Sequence, residues 1–165
     1  SLTTKGDLLT FDTAETRLPV NATNGFVLTT NDAVADGIEW AANTYTKPTQ
    51  AFITACSDET SDLTTGILST WRTPYAFTVT GVRASVGTAP TGANITVDIL
   101  QNGVSILTTN ITIDATEKTS VSAATPPVIG TAALTNDSEI TINLTVIGST
   151  IAGAGLKVTI IGNET

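Results

Sequence analysis

Histidine is absent from this chain of 165 residues, so any chemistry it does falls to carboxylates, hydroxyls and one thiol. Ser-His-Asp and Cys-His relays and His-ligated metals are excluded. Metal-independent hydrolysis would need a carboxylate pair of the glycosidase kind. Asp98, Asp114 and Glu117 are candidates only because they are acidic and lie in the strand-forming part of the chain. Nothing in their spacing brings two of them together, and they read as solvated carboxylates on strand faces and loops. The run Ser57-Asp58-Glu59-Thr60-Ser61-Asp62 offers oxygens of the kind Ca²⁺ takes six to eight of. It lacks the spacing and the Gly of an EF-hand loop, and reads as an acidic loop. Gly153-Ala154-Gly155 is followed by strand signals, so no helix N-terminus receives a phosphate there and a tight turn is expected. The single cysteine, Cys56, permits no intrachain disulfide and suits a small buried position. No enzymatic activity, metal or cofactor is expected.

Trp71, Arg72 and Tyr75 fall together around Pro74. Aromatic rings beside a guanidinium stack sugars or pack a subunit interface; the plainer reading makes Trp71 and Phe77 core. Asn-x-Ser/Thr triplets occur at Asn21, Asn94, Asn110, Asn136, Asn143 and Asn163. Such triplets arise readily in a Thr-rich chain. With no charged start and apolar run to mark a secretory signal, none is read as glycosylated.

The formal net charge is −8 and the sequence pI about 4.2. Nucleic acid and anionic membrane surfaces repel such a chain, and its seven Lys and Arg are scattered singly. No apolar run is long enough to span a bilayer, so neither nucleic-acid binding nor membrane insertion is expected. Charged residues make up 13% of the chain, about half the usual share. Thr, roughly a fifth of the residues, supplies the polar cover instead, and its β-branched side chain suits the wet face of a strand.

The elements that must position these groups are strands. Ile95, Val97 and Ile99 alternate with Thr96, Asp98 and Leu100, which is the period of a strand with one face on a core. Asn102-Gly103 then fits a two-residue hairpin turn, because both residues tolerate positive φ. Ile106, Ile111 and Ile113 resume the apolar face on the way back. Ile140, Ile142, Leu144 and Val146 alternate again, as do Leu156, Val158 and Ile160. Further strands are expected at residues 52–56, 67–72, 75–86 with a bend at Gly81, and 118–123, with a stub at 128–129. Pro48, Thr73-Pro74, Pro126-Pro127 and Asn136-Asp137 break the pattern. Eight or so short strands predict an all-β fold, an antiparallel β-sandwich of jelly-roll type over residues 51–165. Within it Ile142 should be core and Thr141 outward, so that Thr141→Ala costs little.

Residues 1–48 differ. Leu8, Leu9, Phe11, Leu18, Pro19, Val20, Phe26, Val27, Leu28, Ile38 and Trp40 recur at irregular spacing between turn-formers such as Asn24-Gly25 and Asp36-Gly37. Neither a helical nor a sustained strand period emerges. A segment this short buries too little surface to hold itself together. With disulfides excluded, association with other chains is the route left, through Leu8, Leu9, Phe11, Leu18, Pro19, Phe26, Val27, Leu28 and Trp40.

This segment resembles one found in fibre and other structural proteins of tailed-bacteriophage virions. The matches are Lys5 to Leu9, Arg17 to Val20, Asn24-Gly25 with Val27-Leu28, and Gly37 with Trp40, about a quarter of the chain. Residues 51–162 are similar to β domains attached to such fibres. The resemblance implies a fibre or capsid-decoration protein on the surface of the particle: an extended N-terminal attachment segment, residues 1–48, carrying a distal β head. It implies a homotrimer, with other virion proteins as partners of the N-terminal segment. Host-surface glycans are a further partner of the head if Trp71, Arg72 and Tyr75 form a ligand surface, as in a carbohydrate-binding receptor-recognition module.

Overall fold

The computed structural model describes residues 8–11, 15–18, 26–31, 33, 38–42 and 47–165. Two compact units divide the chain, Ser1–Thr46 and Lys47–Thr165. The fold is all-β, with every paired strand antiparallel.

In the first unit β1 (Leu8–Phe11) pairs with β2 (Glu15–Leu18), and β3 (Phe26–Thr30) with β4 (Ile38–Ala42). The sequence shows no sustained strand period here, yet short strands form. Each strand is four or five residues long, too short for a period-two pattern to rise above irregular spacing. Among the described residues each of these hairpins stands as a two-stranded sheet. The turn-formers Asn24-Gly25 and Asp36-Gly37 lie outside the described residues.

The second unit contains β5 (Gln50–Ala55), β6 (Gly66–Arg72), β7 (Phe77–Ser85), β8 (Ile95–Gln101), β9 (Val104–Ser105), β10 (Leu107–Thr109), β11 (Ile111–Ile113), β12 (Val128–Ile129), β13 (Ala133–Leu134), β14 (Glu139–Val146) and β15 (Lys157–Glu164). They form two main sheets, ordered β11-β8-β14-β6 and β13-β7-β15-β5, with β9 beside β8 and a separate β10-β12 pair. The inner faces carry Ile95, Val97 and Ile99 of β8, Ile140, Ile142 and Leu144 of β14, Phe77, Val79, Val82 and Ala84 of β7, and Val158 and Ile160 of β15. All are buried in one cluster. Burying a side chain of this size contributes about 1.5–3 kcal/mol, so these strands hold the sandwich together.

The alternation in β7 changes phase between Val79 and Val82. The ladder to β15 pairs Ile161 with Gly81 and Gly162 with Val79, leaving Thr80 as an extra residue. This bulge lies beside the bend expected at Gly81 and returns the apolar residues to the core. A Cβ on Gly162 would lie 2.0 Å from the Thr78 carbonyl oxygen, so only glycine fits opposite it.

The hairpin turn at Asn102-Gly103 has φ of 49° and 83°, both positive as such a turn requires. Its return is split: β9 pairs with β8, β10 turns away to β12, and β11 rejoins β8. Residues 118–123 do not form the expected strand. Thr119 makes a single bridge to Ser85, and the Ala84 amide donates to the side-chain Oγ of Ser120. A side-chain acceptor in place of a carbonyl stops the ladder there. Thr141 has the outward register expected, yet it is buried. β14 is a central strand, and Thr70 and Leu100 stand directly opposite Thr141 on the two flanking strands.

Candidate interaction surface

The residues with catalytic potential are occupied by local structure. Asp58 accepts the backbone amides of Thr60 and Ser61 at 2.8 and 2.6 Å. These bonds favour the ionised form and hold its carboxyl down to about 2. The acidic run is thus a self-capped loop, and among the described residues no three metal-binding side chains are grouped to hold an ion. Asp98 accepts from Ser105 Oγ at 2.6 Å and from its neighbour's amide. Asp114 accepts the Ala124 amide, and Glu117 accepts from Ser122 Oγ. Gly153 and Gly155 have φ of 95° and 72°. The Ala154 amide donates to Thr88 and the Gly155 amide to Asp58, so this turn stitches two loops together. Cys56 is buried, its Sγ donates to the Thr54 carbonyl, and burial raises its thiol to about 11.

Trp71 and Tyr75 each pack against Phe52, while Arg72 lies on the other face of β6 from Trp71. Trp71 stands opposite Ile140, on the inner side of β6. Its ring lies 5.1 Å from that of Phe52 on β5, and Phe52 also meets Tyr75 at 6.0 Å and Phe77 at 4.9 Å. Phe77 is fully buried; Trp71, Tyr75 and Phe52 are partly buried against the core. The Tyr75 hydroxyl donates to Gln50 Oε1. Arg72 pairs with Glu139 across the ladder, and its guanidinium donates to the Asp137 carbonyl at 2.7 Å. The aromatic group is a seam between the two sheets rather than a free platform beside a guanidinium.

The exposed apolar residues lie elsewhere, and the sequence pattern did not single out those on the sandwich. β5 and β6 end their respective sheets, and the Phe52–Trp71 contact sets these two terminal strands side by side. Ile53 of β5 and Ile67 of β6 are each 70% exposed. β6 is interrupted by an extra residue, Leu68, in its pairing with β14. β5 has no such protection: QAFITA has no charge, Pro or Gly, and its six pairings with β15 run without a shift. Long, flat, uncharged edges are what natural sheets usually blunt, because unpaired N–H and C=O groups recruit further strands. The signal was legible as an uncharged run, but sequence alone does not say which strand ends a sheet.

In the first unit Val27 and Leu28 are exposed on β3, and Leu28 stands opposite Trp40 of β4. Phe26 and Trp40 are partly buried. Leu8, Leu9, Phe11 and Leu18 occupy β1 and β2, and Pro19 lies outside the described residues.

No family model matches this chain, and neither a curated protein nor a solved structure is significantly similar to it.

Proposed function

We propose that this chain is a structural component of a phage virion, a fibre or capsid-decoration protein. It acts by assembly: the first unit associates with further copies, three by the resemblance of residues 5–40, or docks on neighbouring virion proteins. The second unit is the head it presents at the particle surface, for host contact or for stabilising the particle. The observation that carries this reading is the β3–β4 hairpin, two strands of five residues with Val27 and Leu28 exposed. An isolated two-stranded hairpin is marginal in water, and adjacent exposed apolar residues on it are what a neighbouring chain covers. The Thr-faced, weakly charged sandwich fits a role in which contact area, repeated over several copies, supplies avidity.

Light scattering on the full chain tests this reading. The expected mass is a multiple of 16.9 kDa, threefold for the trimer, with residues 1–46 resistant to protease. A monodisperse species of 16.9 kDa with residues 1–46 readily cleaved would overturn it. Electron microscopy of the intact particle would then locate the chain.

A further inference from the structure

We infer that Asn102 is a modification site kept closed by the fold. While the β8–β9 hairpin is clamped to β14, the Asn102 side chain is held from reacting with its own backbone. When the clamp opens, Asn102 converts to isoaspartate and the clamp does not re-form. This goes beyond the assembly role proposed above and does not rest on it, because it concerns the second unit alone.

The reaction belongs to the Asn-Gly pair. The Gly103 amide nitrogen attacks Cγ of Asn102. The Cγ–Nδ2 bond breaks, and Nδ2 leaves as ammonia with the proton that the Gly103 nitrogen gives up. A five-membered imide remains. Water adds to one of its two carbonyl carbons and opens the ring. Opening at Cγ gives aspartate; opening at the main-chain carbonyl gives isoaspartate, in which the chain runs through Cβ and Cγ. Water is the co-reactant, and nothing is oxidised or reduced. Glycine suits the step because no side chain shields its nitrogen. Asn102 and Gly103 are both exposed, and a Cβ at Gly103 would meet nothing within 4 Å, so water reaches the pair.

Two features hold the reactants apart. Asn102 is tied twice to one residue of β14: its amide donates to the Glu139 carbonyl at 2.8 Å, and its Oδ1 accepts the Glu139 amide at 2.9 Å. The side chain thus adds a rung beyond the pair of Ile140 with Gln101, and Cγ is fixed toward β14. The turn is the second feature. Its φ values of 49° and 83° are those of the two-residue turn with both φ positive, whose first residue has ψ of about +30°. At that ψ the nitrogen of the second residue lies nearly opposite Cβ of the first across the Cα–C bond. Reacting atoms must come within about 3–3.5 Å of each other. The Asn102–Gly103 peptide must therefore turn over, and Cγ must swing away from Glu139.

Isoaspartate makes the opening permanent. It lengthens the main chain of the turn by one carbon, and a two-residue hairpin holds its register only at its own length. Its carboxylate sits directly on Cα, one carbon short of the position from which Oδ1 reaches Glu139. The pairs of Leu100 with Ser105 and Gln101 with Val104 lose the turn that joins them, and β9 leaves the sheet.

The test is peptide mapping by mass spectrometry on the full chain, kept in mildly alkaline buffer with and without guanidinium chloride. The map separates Asn102 from the other Asn-Gly pair, Asn24-Gly25. Native Asn102 should convert at least about thirtyfold more slowly than unfolded Asn102, because it reacts only in the locally open fraction. Glu139→Pro removes the amide that holds Oδ1, at a strand start where proline is tolerated, and should speed native conversion several-fold. Val104→Gly alters a residue 71% exposed, loosens β9 without touching the core, and should do the same. Equal native and unfolded rates, or native rates indifferent to both variants, would overturn the closed site. Hydrogen exchange on the separated isoaspartate form tests the permanence. Its Glu139 amide should lose protection in a chain that keeps the circular dichroism of the sandwich. Full protection there would overturn the lasting release of the clamp.

Discussion

The rings of Phe52 and Trp71 lie 5.1 Å apart and are inclined at 46°, one from the terminal strand of each main sheet. They close the side of the sandwich on which both sheets end. Trp71→Ala should destabilise the second unit by roughly 3 kcal/mol, the lower end of what removing a large core aromatic costs, because the indole is only partly buried. Phe52→Ala should cost a similar amount. The double variant should cost less than the sum, by about 0.5–1.5 kcal/mol, the usual coupling of an aromatic pair. Urea unfolding followed by Trp71 fluorescence in the Phe52 variant, and by circular dichroism in all three, measures these differences. Strict additivity would mean that the rings are neighbours without being coupled.

Ile142 and Thr141 are successive residues of β14 on opposite faces. Ile142 has no exposed surface, and Ile142→Ala should cost on the order of 2–5 kcal/mol. Thr141, 7% exposed between Thr70 and Leu100, should cost about 1 kcal/mol on replacement by Ala, more than an outward threonine on an edge strand. Thr70→Ala, an exposed position on β6, gives the comparison. If Thr141→Ala and Thr70→Ala are equally mild in urea unfolding, burial on the outer face of a central strand contributes nothing.

The contrast between these two residues shows what the sequence could reveal. Period two assigns a face, and it did so for β8, for β15 and for β14 as far as Leu144; Val146, expected on the same face, lies past a shift in the pairing with β8 and is exposed, and β7 changes phase at Thr80. The period carries no information on whether a strand is central or terminal, so neither the burial of Thr141 nor the uncovered edge of β5 was legible. Strands of four or five residues in the first unit left no pattern to read. Residues 118–123 looked like a strand but are stopped by a side-chain hydrogen bond that only the folded chain reveals. Trp71, Arg72 and Tyr75 are close in sequence, yet the pleat sends Trp71 inward and Arg72 outward. The exposure of Ile53 and Ile67 follows from the sheet order, which depends on contacts far apart in the chain.

Thr73 and Ser138 form a buried polar knot that ties the β6–β7 turn to the entry of β14. Thr73 Oγ1 donates to the Thr135 carbonyl at 2.6 Å and accepts the Ser138 amide at 3.0 Å, while Ser138 Oγ donates to the same carbonyl at 2.7 Å. Thr73→Val keeps the shape and removes the hydroxyl, leaving the Ser138 amide only its longer bond, 3.2 Å, to the Thr135 carbonyl. A buried donor left wholly unpaired costs about 1–3 kcal/mol, and loss of the shorter of two acceptors should cost about 1 kcal/mol, the lower end of that range. Thr78→Val, an exposed position on β7, should cost far less. Amide hydrogen exchange gives the local readout: Ser138 should lose part of its protection in Thr73→Val, and full retention would show that the Thr135 carbonyl alone holds the amide.

Asp58 makes the acid side of the stability curve informative. Its carboxyl lies at about 2 in the folded chain against an ordinary value of 3.8, because the amides of Thr60 and Ser61 favour the ionised form. An acid depressed by folding contributes stability above its unfolded pKa and loses it as the pH falls through the folded value. The contribution of Asp58 should therefore be complete above about pH 4 and vanish near pH 2. Asp58→Asn retains a side-chain acceptor but has no titrating charge, so the gap in urea midpoint between wild type and this variant should be constant from pH 7 to about 4. It should close as the pH is lowered further. Chemical shifts of the Asp58 carboxyl carbon through the same range give the folded value directly. An ordinary titration near 3.8, with a gap that persists at pH 2, would mean that the loop does not use Asp58 to hold its two amides in solution.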